Sequence, residues 1–147
     1  MHQAIFSYGI RFQEDGHLDI FPAAEVSIFG KKGEGLRAML HLDSGATTSV
    51  LPLNDATAIG IKIDFNKKIL VRGFTGESIY GYKQIVSVAL GTIKIKIPVI
   101  FADAMVPRIL GREGIFPKFA ILFDEARRRT GFFDAKKAQR KIDKFFE

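Results

Sequence analysis

Apolar and polar residues alternate over short runs through most of the chain. The clearest run is Thr92–Phe101, where Ile93, Ile95 and Ile97 alternate with Lys94 and Lys96. A period of two marks a strand with one face buried. Similar runs predict strands at Ala4–Phe12, Leu18–Phe21, Ala24–Phe29, Leu36–Leu42, Ile61–Phe65, Lys68–Val71 and Ile79–Ala89. Turn residues punctuate them: Gln13-Glu14-Asp15-Gly16, then Gly30-Lys31-Lys32-Gly33-Glu34-Gly35, and Gly91 between Gln84–Leu90 and Thr92–Ile97. These arms read as hairpins. Helical spacing is scarce. Leu53–Ile59 after Pro52 and Gly114–Phe119 each suggest a short turn of helix. At the end, Asp134 can cap a helix in which Ala138, Ile142, Phe145 and Phe146 recur near i, i+4, i+7, predicting a stripe packed on the body. The class is mainly β, with no internal repeat and no Gly/Ser linker.

Length and composition narrow the field. The 147 residues suit one domain, and 47% hydrophobic with 26% charged residues is a globular balance. There is no cysteine, which excludes disulfides, thiolate nucleophiles and cysteine-built zinc sites. The histidines, His2, His17 and His41, are scattered, so no metal site and no cofactor is expected. Neither a signal peptide nor a membrane-spanning run is read from the sequence, and a cytoplasmic location is the expectation. The net charge of +6 is concentrated at the end. Residues 127–147 hold eight Lys/Arg against three acids, a net of +5, which leaves +1 for the other 126 residues. A nucleic-acid groove across the body is therefore not expected. The basic end reads as a solvated face, with an acidic partner or anionic lipid as its alternative.

The segment with the strongest chemical signal is Leu40-His41-Leu42-Asp43-Ser44-Gly45-Ala46-Thr47-Thr48-Ser49-Val50. An apolar strand ends in an acid, and Gly45 allows backbone amides to approach that carboxylate. Ser44 offers a hydroxyl to orient it. Asp-Ser-Gly alone also fits an Asx turn at a strand end. Two further segments change that weighting. Arg108-Ile109-Leu110-Gly111-Arg112 places Gly-Arg after an apolar pair. Between them, Val71-Arg72-Gly73-Phe74-Thr75-Gly76-Glu77-Ser78-Ile79-Tyr80-Gly81-Tyr82 reads as two β arms around a glycine-containing tip.

In this order the three features resemble the retroviral-type (retropepsin-like) aspartic proteases, over roughly Phe21 to Phe133. The resemblance implies a retropepsin-like acid protease half-barrel with a flap hairpin and one short helix, plus the C-terminal helix. It divides the chain into an N-terminal strand or hairpin extension (1–20), a protease domain (21–133) and a basic C-terminal helix (134–147). It implies that Asp43 is the catalytic carboxylate, with Ser44, Gly45 and Ala46 in the active-site loop. Phe74, Thr75 and Gly76 would sit at or near the flap tip, Pro107 and Ile109 would line substrate pockets, and Gly111 and Arg112 would brace the loop. In a strand, i and i+2 share a face. His41 and Met39 should thus lie on the Asp43 side, with Leu40 and Leu42 in the core. His41 is then either a substrate-pocket residue or a polar wall residue with no role.

Aspartic proteolysis needs two carboxylates sharing a proton. One Asp-Ser-Gly is present, and Asp124-Glu125-Ala126 lacks the glycine turn of a second. The second Asp43 must then come from another copy, which makes a homodimer acting on a polypeptide substrate the expectation. Two positions depart from the viral pattern. Thr47 stands where many members carry an acid that pairs with the Gly-Arg arginine, and Glu113 where Asp or Asn is frequent, so the partner of Arg112 is open. A non-catalytic peptide-binding or dimerisation module of the same fold is the alternative.

Overall fold

The computed structural model describes residues 3–72 and 76–147. The flap-tip residues Phe74 and Thr75 lie outside the described residues. The strands are β1 (Gln3–Ser7), β2 (Gly9–Phe12), β3 (Leu18–Phe21), β4 (Ala23–Phe29), β5 (Gly35–Leu42), β6 (Ser49–Pro52), β7 (Ile69–Arg72), β8 (Ser78–Leu90), β9 (Ile93–Ala102), β10 (Ile109–Leu110), β11 (Phe119–Asp124) and β12 (Arg129–Asp134). Among the described residues, two α-helices, α1 (Leu53–Ala58) and α2 (Ala135–Asp143), and a 3-10 turn at Phe65–Lys67 complete the regular elements.

Seven strands form the main sheet in the order β4-β5-β10-β6-β9-β8-β7. β4 also pairs with β8, through Ser27↔Ala89, Ile28↔Val88 and Phe29↔Ser87. The sheet therefore closes on itself, and closure satisfies backbone groups that an open edge would leave unpaired. Its interior is filled by the inward members of the alternating runs, among them Val26, Ile28, Leu40, Leu42, Ile97 and Phe101. Burying each such side chain stabilises the fold by roughly 1.5–3 kcal/mol.

The pairing that matters most for function is non-local. β10 lies parallel to β5 (Ile109↔His41, Leu110↔Leu42) and antiparallel to β6 (Ile109↔Val50). The C-terminal ends of β5 and β10 and the start of β6 are thereby brought to one place. Neither β6 nor β10 is visible as a strand in the sequence. Both are too short to show a period and are held by neighbours distant in the chain.

A second sheet has the order β1-β12-β11. Phe6 and Phe119 meet the Phe132 ring edge-on, at centroid distances of 5.8 and 5.9 Å, and tie this sheet to the common core. In its hairpin, the Arg129 guanidinium, donating to the Asp124 carboxylate at 2.8 Å, holds that acid below its ordinary range. β2 and β3 make a separate two-stranded hairpin.

Four expectations are corrected. The predicted strand Ala4–Phe12 is two strands in different sheets, because Tyr8 leaves the ladder and its N–H donates to the Arg128 carbonyl at 2.9 Å. Ile61–Phe65 is not a strand. Its Ile61 N–H closes onto the Ala56 carbonyl, and Asp64 accepts from the Asn66 N–H to start a short 3-10 turn at Phe65–Lys67. Gly114–Phe119 is a run of turns rather than helix, since Gly114 is left-handed (φ +77) and Pro117 has no N–H to give. Phe145 and Phe146 do not pack on the body and are 83% and 86% exposed. The Asp134-capped helix α2 buries Ala138 but ends at Asp143, so helical spacing no longer governs those two rings. Among the described residues no helix is long and apolar enough to cross a membrane.

Candidate active site

Asp43 follows β5 directly. Its N–H donates to the Leu110 carbonyl at 3.0 Å, which fixes the turn to the end of β10. The Asp43 carbonyl accepts from the Ala46 N–H at 3.2 Å, and its side-chain Oδ1 accepts from the Gly45 N–H at 2.8 Å. A carboxylate held by a backbone donor has a fixed orientation rather than a rotamer search. Gly45 permits this close approach, since a Cβ there would stand 3.2 Å from Oδ1. Ser44 and Gly45 are exposed, while Asp43 and Ala46 are half-buried.

The Gly-Arg segment is laced to the loop. The Arg112 N–H donates to the Ala46 carbonyl at 3.0 Å and the Glu113 N–H to the Thr47 carbonyl at 2.8 Å. The Gly111 N–H donates to the buried Ser49 hydroxyl at 2.9 Å. Gly111 has no room for a side chain: an added Cβ would lie 2.6 Å from the Thr48 carbonyl carbon and 2.9 Å from the Ser49 nitrogen. The question of the Arg112 partner is answered by the residue that replaces the acid. Arg112 Nη2 donates to the Thr47 hydroxyl at 3.3 Å, a neutral contact in place of an ion pair. The neighbouring Thr48 hydroxyl donates to Glu113 Oε1 at 3.0 Å, and Lys83 Nζ lies 3.6 Å from the other Glu113 oxygen. Ser49 and Thr48 were missed by sequence reasoning, which had no local signal for hydroxyls whose partners are more than 60 positions away.

A groove of about 580 Å³ opens at Asp43, lined also by Thr47, Val71, Ile79, Ile100, Pro107 and Ile109. Pro107 and Ile109 line this groove together with the acid. Gly76, just before β8, is left-handed (φ +78), and no atom of the described residues lies within 4 Å of a Cβ added there. The β5 faces follow the alternation: Leu40 and Leu42 are buried, while Met39 and His41 face outward. His41 stacks against Phe21 at 4.8 Å and lines a second, adjoining cavity rather than the Asp43 groove.

One ion pair supports the wall between the two. Asp55, 5% exposed on α1, accepts from Arg108 Nε at 2.8 Å and from Nη2 at 2.9 Å. This fork pushes the Arg108 pKa up, the hydrogen bond outweighing partial desolvation. The Arg108 carbonyl in turn accepts from the His41 N–H at 2.9 Å. Asp55→Ala is expected to destabilise the protein by about 1–2 kcal/mol in a urea titration. That is less than the roughly 3–5 kcal/mol for breaking a fully buried pair, because Arg108 remains 41% exposed and can be solvated. An unchanged midpoint would remove the pair from the account of this wall. Among the described residues no group of three or more His, Asp or Glu side chains is gathered to hold a metal ion.

Comparison with known proteins bears on what this geometry belongs to. Searching the curated proteins returns no match. Among solved structures, a retropepsin-like aspartic protease from Rickettsia conorii matches with a TM-score of 0.56 at 16% identity, covering 89% of this chain and 90% of that chain. That likeness shows the fold. The sequence profile of the aspartyl protease family matches residues 24–113, the stretch that contains the Asp43 loop, the β7–β8 hairpin and the Gly-Arg segment. The chain therefore belongs to the aspartyl protease family and has the retropepsin-like fold.

Proposed function

We propose that this protein is an aspartic endopeptidase that works as a homodimer, with Asp43 of each copy supplying half of one reaction centre. The observation that carries the reading is the Asp43 carboxylate itself, oriented by the Gly45 N–H at the mouth of an apolar groove. A lone acid in that position has no hydrolytic partner within its own loop. Two of them across a twofold axis share one proton, because like charges roughly 3 Å apart cannot both ionise cheaply. The ionised carboxylate takes a proton from water as the water oxygen attacks the amide carbon. The protonated one donates to the carbonyl oxygen. Collapse of the resulting diol returns a proton to the nitrogen, and the C–N bond breaks without a covalent enzyme intermediate.

Ser44, exposed beside Asp43, braces the paired loops in this arrangement, and Gly45 and Ala46 present backbone to the substrate. Gly111 and Arg112 hold the loop from behind. The β7–β8 hairpin acts as the flap that closes over an extended peptide and excludes water. Pro107 and Ile109 contact side chains of that peptide, and His41 those further along. The test is cleavage of a peptide library by the wild-type protein and by Asp43→Asn. Cleavage by the first alone is expected, and equal cleavage by both contradicts the proposal.

A further inference from the structure

We propose that the C-terminal helix α2, with the two phenylalanines that follow it, docks the protein on an anionic lipid bilayer. None of these residues lines the Asp43 groove, so the docking stands or falls separately from the peptidase reading. The start of α2 is fixed to the body. Asp134 caps it by accepting from the Lys136 and Lys137 N–H groups at 3.1 and 3.0 Å, and the Ala135 N–H donates to the Lys118 carbonyl at 3.0 Å. Ala138 is buried and Ile142, one turn later, is half-buried. Beyond Ile142 every residue is exposed.

The apolar stripe of the helix thus continues past its cover. The Phe145 N–H donates to the Ile142 carbonyl and the Phe146 N–H to the Asp143 carbonyl, both at 2.9 Å, so a tight turn presents the two rings. At 83% and 86% exposure they have no shelter from the body. Adjacent aromatic rings left in water are stabilised by any apolar phase that takes them.

Charge identifies that phase. Lys136, Lys137, Arg140, Lys141 and Lys144 are all exposed, and Asp143 is the only acid between Ala135 and Phe146. None of the five cations is in an ion pair among the described residues. Exposed Lys118 adds a further cation beside the start of the helix. A cluster of this size on a helix with an apolar side matches the negative surface of an anionic membrane. The headgroup phosphates neutralise the cations, and the boundary with the acyl chains takes the rings. A nucleic acid or an acidic protein face answers the charge alone. The mode is docking on the surface, because α2 has 9 residues and a span needs roughly 20.

The experiment sediments the full chain with vesicles of phosphatidylcholine alone, or of phosphatidylcholine with about 30% phosphatidylglycerol as the anionic lipid. Wild type is compared with Phe145→Ser/Phe146→Ser and with Lys141→Glu/Lys144→Glu. All four positions are exposed, so the core is untouched, and circular dichroism checks the fold. The wild type is expected to bind the anionic vesicles about 10-fold or more tighter than the neutral ones. Raising the salt to about 0.5 M should release it. The serine variant should lose about 10-fold or more in affinity for the anionic vesicles, and the glutamate variant should lose the preference for anionic lipid. The docking site is overturned if the wild type binds both vesicles equally or not at all, or if the glutamate variant keeps the preference. It is overturned too if the serine variant binds as tightly as the wild type, a result that assigns the cations to a purely ionic partner such as a nucleic acid. Cleavage is not read in any arm, so failure here leaves the Asp43 proposal standing.

Discussion

Replacing Asp43 by asparagine is expected to lower peptide hydrolysis by about 10^4-fold, the range that loss of general acid–base catalysis removes, while leaving the fold intact. The reason for both halves lies in one atom. Asp43 Oδ1 accepts from the Gly45 N–H at 2.8 Å, and an asparagine oxygen can accept the same bond. The turn, its tie to the Leu110 carbonyl and the groove therefore survive. What is lost is the ability to hold and release a proton. The amide cannot take one from water, nor carry one to the substrate carbonyl. Steady-state rates on a cleaved peptide, with thermal melting as the control, measure the two separately. A loss of activity accompanied by unfolding would leave the chemical role unsupported.

The second large effect is expected from Gly111→Ala. Glycine is required here by space, since the added methyl would meet the backbone of Thr48 and Ser49 at 2.6 to 2.9 Å. Backbone atoms of β6 cannot rotate away as a side chain would, so either β10 or the 43–49 loop must shift. A destabilisation of about 3 kcal/mol is expected, at the upper end for an overpacked core site. The shift also strains the Gly111–Ser49 hydrogen bond and, through Leu110, the anchor of the Asp43 N–H. Activity should therefore fall even where enough folded protein remains. Chemical denaturation and kcat measured on the folded fraction check this, and a wild-type midpoint would show that the loop can yield without cost.

The parts of the molecule visible in the sequence are those whose physics is local. Asp43-Ser44-Gly45 announces a tight turn with an acid because adjacent residues make it, and Ile93, Ile95 and Ile97 announce a strand because one face of it is buried. The parts that stay hidden depend on partners far along the chain. β10 is two residues long and exists because β5 and β6 flank it. Ser49 looks like any strand-edge hydroxyl until Gly111 arrives 62 positions later. Thr47 stands where the resemblance leads one to expect an acid, and only the folded loop reveals that its hydroxyl accepts from Arg112. The Asp55–Arg108 fork joins a helix to a cavity wall across 53 positions and carries no motif. In the other direction, Ile61–Phe65 has a strand-like composition, yet the Asp64 side chain and the end of α1 capture its backbone first.

The central claim is that two Asp43 carboxylates make one reaction centre. It is tested most directly by co-folding wild-type chains with Asp43→Asn chains in varied proportion and measuring hydrolysis at fixed total protein. Mixed pairs hold a single acid and cannot divide the two proton-transfer roles. Activity should therefore follow the square of the wild-type fraction, falling to about one quarter when half the chains are substituted. A straight-line fall to about one half would mean that each chain works alone and would contradict the account.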